Sequence, residues 1–174
     1  MKILAIGDVC GAPGVDFLCS RLGRLRRSLE ADLVVVNGEN ACVRGISPAF
    51  ATQMLESGAD AITLGNHAYD NRSICDFFDD CSCIIRPANM PSQRPGNGYC
   101  TVDIRGKRVG IINLIGQVDL DFHASSPFTA INALLAEIDA DAYIVDFHAE
   151  ATSEKQAMAY YLDGRVAALW GTHT

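Results

Sequence analysis

The sequence lacks a CxxC pair. Its cysteines, Cys10, Cys19, Cys42, Cys75, Cys81, Cys83 and Cys100, are odd in number and unpaired in spacing, which disfavours a zinc ribbon. Most of them read as small packing residues or inert surface thiols. A secretory core is missing too, because only four apolar residues separate Met1-Lys2 from Gly7, too few for a signal peptide or a membrane span. A cytoplasmic chain with reduced thiols and no membrane partner is the expectation. There is no basic excess: the formal net charge is −7, so no strong grip on a nucleic-acid polymer is expected. Arg21, Arg24, Arg26 and Arg27 form the one dense basic cluster, with the spacing of a solvated helix face. Both glycine-rich phosphate cradles are absent, since Gly7 to Gly14 is not GxGxxG and has no GK[ST]. No repeat, linker or low-complexity segment interrupts the chain.

What is present suits one domain over residues 1–174. The chain is 49% hydrophobic and 20% charged, the balance of a globular protein with a sizeable core. Short apolar runs alternate with helical patterns. Lys2 to Ile6, Leu33 to Val36, Ala61 to Leu64 and Cys83 to Ile85 read as strands. A helix from about Pro13 to Leu29 carries Leu18, Leu22, Leu25 and Leu29 as its apolar stripe; another opens at Ser47-Pro48 and stops at Gly58. Tyr69 to Phe78 reads as a short helix, and Pro87 and Pro91 forbid helix in the segment after Ile85. Tyr99 to Ile104 and Lys107 to Leu114 read as a hairpin, and Gln117 to Pro127 as a loop containing His123. A helix marked by Ile131, Leu134, Leu135 and Ile138, a strand from Ala142 to Phe147, a helix from Ser153 to Leu162 and a strand from Val166 to Trp170 complete the chain. Alternation in the first half, followed by a hairpin, predicts two sheets.

Five of these strands run into Asp8, Glu39-Asn40, Asn66-His67, His148 and His173. Side chains just past the carboxyl ends of strands meet in one crevice of an open α/β sheet. Asp8, Glu39, Asn40, Asn66, His148 and His173 offer two carboxylates, two amides and two imidazoles, a set that suits Mn²⁺, Fe or Zn²⁺. Used together they would hold two ions about 3.5 to 4 Å apart, bridged by one carboxylate. Bound cations would also admit a small anionic substrate to an acidic protein. Taken singly, Asp8 and Asn66 could be helix caps and His148 and His173 core histidines. Asp70 either orients His67 or starts the next helix; Glu150 and Glu154 read as supporting carboxylates.

Gly7-Asp8, Gly38-Glu39-Asn40, Gly65-Asn66-His67, Asp146-Phe147-His148-Ala149-Glu150 and Gly171-Thr172-His173-Thr174 resemble the ordered blocks of the calcineurin-like metallophosphoesterases. The bacterial YmdB-like branch is the nearest resemblance, which extends to Arg86-Pro87-Ala88-Asn89 and to the segment from Ala149 to Lys155. It implies a calcineurin-like four-layer α/β/β/α sandwich of two sheets. It further implies two divalent ions, Fe or Mn, with Zn also compatible. Glu39 would bridge them, Asp8 and Asn40 would serve the first, and Asn66, His148 and His173 the second. His67 would be the general acid protonating the leaving alkoxide, a metal-bridging hydroxide the nucleophile, and cyclic nucleotides or similar phosphodiesters the substrates. A homo-oligomer is also implied, whereas no substrate-binding residue is designated.

Two departures from the family pattern carry expectations of their own. Cys10 stands where many of these enzymes have a histidine two residues after the first aspartate. The motif Gly-Thr-His-Thr-His is cut at Thr174, which implies an incomplete second sheet, a weakened first metal site and impaired turnover. A catalytically silent regulatory protein keeping the scaffold and one metal is the alternative reading. A metal-free nucleotide-binding domain is disfavoured by the failed glycine motifs.

Overall fold

The computed structural model describes residues 1–120 and 124–174; His123 lies outside the described residues. Strands β1 (Ile3–Ile6), β2 (Leu33–Asn37), β3 (Ala61–Thr63) and β4 (Ile84–Ile85) form a parallel sheet in that order. Helices α1 (Gly11–Leu29), α2 (Pro48–Glu56) and α3 (Ile74–Asp80) cover one of its faces. In the second sheet, β5 (Tyr99–Ile104) pairs antiparallel with β6 (Lys107–Ile115), and β6 pairs in parallel with β7 (Ala142–Ala149), which pairs in parallel with β8 (Ala168–His173). Helices α4 (Pro127–Glu137) and α5 (Thr152–Leu162) cover its outer face.

The period-two alternation of the strands builds the layers. Val34, Val36 and Ile62 face the helices of the first half, while Leu33, Val35, Ala61 and Ile85 face the other sheet. Likewise Ile112, Leu114, Val145 and Phe147 face α4 and α5, while Val109, Ile111 and Ile144 turn inward. The result is a four-layer α/β/β/α sandwich of two sheets, the arrangement that the resemblance implies. Followed toward the carboxyl ends, the same inward rows turn polar: Val35 gives way to Asn37, Ala61 to Thr63, Ile111 to Asn113, and Ile144 to Asp146 and then His148. The dry lower half and the polar upper half of the inter-sheet space are therefore one register.

Several expected boundaries move. α2 begins as its sequence suggests, with the Ser47 hydroxyl accepting from the Phe50 N–H and Pro48 in the first turn. In α1 the inward positions are Val15 and Leu22, with Leu18 and Cys19 packed alongside. Leu25 and Leu29 are 37% and 47% exposed, which corrects the expected four-leucine stripe. Nineteen residues of helix extend about 28 Å and overhang the short strands below. The helix expected from Tyr69 starts only at Ile74. Before it, Asn71 Oδ1 accepts from the Ser73 N–H and hydroxyl, and His67 O accepts from the Asp70 N–H, so the segment is held in turns. The final strand is displaced toward the C-terminus and includes His173, and β7 runs on through His148. These two histidines stand on strands rather than beyond them.

Candidate metal centre

The structure brings Asp8, Glu39, Asn40, Asn66, His67, His148 and His173 to one end of the sandwich. Glu39 is fully buried. Its Oε1 lies 2.9 Å from His148 Nε2 and 3.4 Å from Asn40 Nδ2, and its Oε2 accepts from the His67 N–H at 3.2 Å. Ligand atoms of Glu39, His148 and His173 lie within 4.8 Å of one another. Asn66 Oδ1 approaches His148 Nε2 at 3.0 Å. On the other flank, Asn40 Nδ2 donates to Asp8 Oδ2 at 3.4 Å, and the His173 N–H donates to Asp8 Oδ1 at 3.2 Å. The carboxylate of Glu39 thus stands between an Asp8-Asn40 group and an Asn66-His148-His173 group. A half-turn of the Asn40 amide would present its oxygen where its NH₂ now lies.

Capping does not account for Asp8, because the cap of α1 is Cys10 and no side chain bonds there. The Cys10 thiol is exposed and donates to the Asp8 carbonyl at 3.7 Å. Gly65 makes the convergence sterically feasible: a Cβ at that position would run into Glu39 Oε2 and the His148 ring.

The sequence reading missed a buried network that orients His148. Asp146 accepts from the Thr63 hydroxyl at 2.5 Å, the Thr172 hydroxyl at 2.8 Å and Asn37 Nδ2 at 3.4 Å. Thr172 Oγ1 lies 2.9 Å from His148 Nδ1. With the Thr172 proton committed to Asp146, its oxygen can only accept from an Nδ1–H. The network therefore keeps a proton on Nδ1, so that Nε2, which faces Glu39 Oε1 and Asn66 Oδ1, is the nitrogen at which a cation would replace a proton. Burial pushes the Asp146 carboxyl up, opposed by Thr63, Thr172, the His148 charge and Asn37. Burial alone would also raise Glu39, but the hydrogen bond and charge of His148, with the backbone and charge of His67, outweigh it and hold the carboxyl below its ordinary value. A carboxylate already ionised suits a cation site.

His67 Nδ1 lies 2.9 Å from Asp70 Oδ2, so Asp70 orients this ring. Glu150 Oε2 lies 2.9 Å from His173 Nε2, leaving Nδ1 as the nitrogen Glu150 does not engage. His173 has φ of +84°, a strained value for a residue with a Cβ, of the kind that clusters at functional sites. Glu154 serves the scaffold: its carboxylate accepts from the Gln117 and Val118 N–H groups. Asn89 does likewise, its amide bonding Ile115 O, the Ile115 N–H and Ser125 O. Beside the cluster opens a cleft of about 610 Å³, whose walls include Asn66, His67, His173, Arg44, Tyr69 and Arg94. Arg44, Tyr69 and Arg94 carried no motif signal.

A sequence profile described as "YmdB-like protein" matches residues 4–174. The chain belongs to the YmdB-like protein family. It is 44% identical over 177 residues to a 2′,3′-cyclic-nucleotide 2′-phosphodiesterase of Bacillus subtilis, covering 100% of this chain and 67% of that one. A hypothetical protein from Thermus thermophilus superposes with a TM-score of 0.94 at 38% identity, over 100% of this chain and 68% of the other. A novel phosphatase from Mycoplasma pneumoniae superposes with a TM-score of 0.92 at 34% identity, over 100% and 64%. This YmdB-like chain thus spans about two thirds of the length of the relatives it matches. Among the described residues no helix is long and apolar enough to cross a membrane.

Proposed function

We propose that this YmdB-like chain carries the centre of a dinuclear metal-dependent phosphodiesterase acting on cyclic nucleotides or similar phosphodiesters. The observation that carries the reading is the position of Glu39, a buried, ionised carboxylate flanked by Asp8-Asn40 on one side and Asn66-His148-His173 on the other. The mixed oxygen and imidazole donors fit Fe or Mn, and also Zn. Divalent ions held there supply the Lewis acidity that activates water and offsets phosphoryl charge. The chain's own contribution is orientation. Asp146 and Thr172 fix His148, and Glu150 engages His173. Asp70 at Nδ1 and the Asn66 amide at Nε2 hold the His67 ring at the cleft, where it is the candidate general acid for the leaving alkoxide. Arg44 and Arg94 stand in the cleft wall with Asp70 and Asp119, so the arginines offer an anionic substrate cationic partners within a wall of mixed charge. The name of the Bacillus subtilis relative supports a 2′,3′-cyclic nucleotide as the first substrate to try.

Hydrolysis of bis-p-nitrophenyl phosphate with added Mn²⁺ tests the proposal. His67→Ala is expected to lower the rate by roughly 10² or more, and Asn66→Ala to lower it through weakened metal retention. Equal rates in the parent and both variants would remove the catalytic assignment. The tight grouping of Glu39, His148 and His173 favours a second reading, a non-catalytic protein with one ion. A Mn²⁺ titration saturating at one equivalent, with no turnover, would establish that instead.

A further inference from the structure

Away from the metal centre, three thiols cluster beside the junction of α3 and β4. Cys81 caps the C-terminus of α3 and Cys83 immediately precedes β4. Their sulfurs are 3.1 Å apart, inside ordinary sulfur–sulfur contact and about 1 Å from the ~2.05 Å of a disulfide bond. Their backbone is tethered on both sides of Ser82: Cys83 O accepts from the Ile62 N–H at 2.9 Å, and Cys81 O accepts from the Ile84 N–H at 3.3 Å. Cys81 and Cys83 are half-buried residues on either side of the exposed Ser82. The third thiol, Cys100, stands on β5 close enough to interact electrostatically with the other two.

We infer that Cys81-Ser82-Cys83 is a two-electron redox site, a dithiol that hydrogen peroxide converts to an intrachain Cys81–Cys83 disulfide. In the first step the Cys81 thiolate attacks a peroxide oxygen. The O–O bond breaks, a Cys81 S–O bond forms, and one water leaves after proton transfer, giving a sulfenic acid. In the second, the Cys83 sulfur attacks Cys81, the S–O bond breaks, and the thiol proton leaves with the hydroxide as a second water. Two thiols are oxidised and one peroxide is reduced to two waters. Burial, and the Cys81 group beside it, push the Cys83 thiol up, which favours Cys81 as the sulfur that meets peroxide first. The tethered backbone makes the second step intramolecular between groups already in contact. A ring closed across one intervening residue barely restricts the unfolded chain. The bond is therefore a chemical state of the surface and not a structural staple.

The test uses the full chain, fully reduced, then treated with hydrogen peroxide, alkylated and mapped by mass spectrometry. The expected result is loss of two alkylable thiols of the seven, both in the segment 81–83, which becomes two hydrogens lighter and regains alkylation after dithiothreitol. In Cys83→Ser a dimedone adduct should accumulate on Cys81. Cys100→Ser should form the disulfide at the parent rate. The inference is overturned if Cys81 and Cys83 stay alkylable while other thiols oxidise, if either pairs with Cys75, Cys100 or a second chain, or if both proceed singly to sulfinic acid. Mapping of the unmutated chain decides the matter even where a variant fails to fold.

Discussion

Gly65→Ala tests the site geometry without removing any polar group. The added Cβ would overlap Glu39 Oε2 and the His148 imidazole. Neither can step aside into solvent, because both side chains are fully buried, and His148 is held from behind by Thr172. Relief must come from separating the Glu39–His148 pair or from shifting β3 relative to β7. Overpacking of this sort costs about 1–3 kcal/mol. In a domain of this length each kcal/mol moves the melting temperature by roughly 2–4 °C, so a cost of about 2 kcal/mol corresponds to roughly 4–8 °C. The second consequence concerns metal. An ion that binds only the folded chain at a hundred times its dissociation constant adds about 2.7 kcal/mol, and this increment should shrink when Glu39 and His148 are forced apart. Differential scanning fluorimetry with and without Mn²⁺ measures both effects. Gly7→Ala is the control, since nothing lies within 4 Å of the position its Cβ would take. If Gly65→Ala melts like the parent and keeps the full Mn²⁺ increment, the described convergence of Glu39, His148 and Gly65 is wrong.

Asp146→Ala should destabilise the fold by about 3–5 kcal/mol, because it leaves the buried donors of Thr63, Thr172 and Asn37 without their acceptor; a urea titration showing under about 1 kcal/mol would refute the network. Asp32 reports on acid stability. Its carboxyl is held below its ordinary value of 3.8 chiefly by the Lys2 N–H, helped by Arg105, the N-terminal amine and the Lys2 side chain against desolvation. A depressed carboxyl stabilises the fold above its unfolded pKa and loses that contribution as pH falls through its folded pKa. Asp32→Asn should therefore lower the urea midpoint at neutral pH and flatten its decline below about pH 4, and parallel parent and variant profiles would contradict this.

Much of the architecture could be read from local pattern. The unbroken apolar run Leu33-Val34-Val35-Val36 encodes a strand with two covered faces, and Ser47-Pro48 encodes a helix start, because both signals depend on neighbours a few residues away. The ordered blocks around Asp8, Glu39, Asn66, His148 and His173 named the polar convergence for the same reason, each lying at or near the end of a legible strand. Leu25 and Leu29 misled because their periodicity is helical whether or not a sheet lies beneath them.

Other features arise only when the two sheets face each other. Thr63, Asp146 and Thr172 are 26 to 83 residues apart in pairing, and each looks like ordinary strand sequence until the inward rows of β3, β7 and β8 are stacked. Arg44, Tyr69 and Arg94 share a cleft through loops that carry no period at all. Cys81 and Cys83 look like two small packing residues, and only the hydrogen bonds that tie their backbone to β3 and to the start of β4 turn the sulfurs together. Residue types and spacing determined which groups were available at the strand ends. Sheet register and the face-to-face packing of the sandwich decided which of them touch, because those contacts depend on where distant segments lie, and no local period records that.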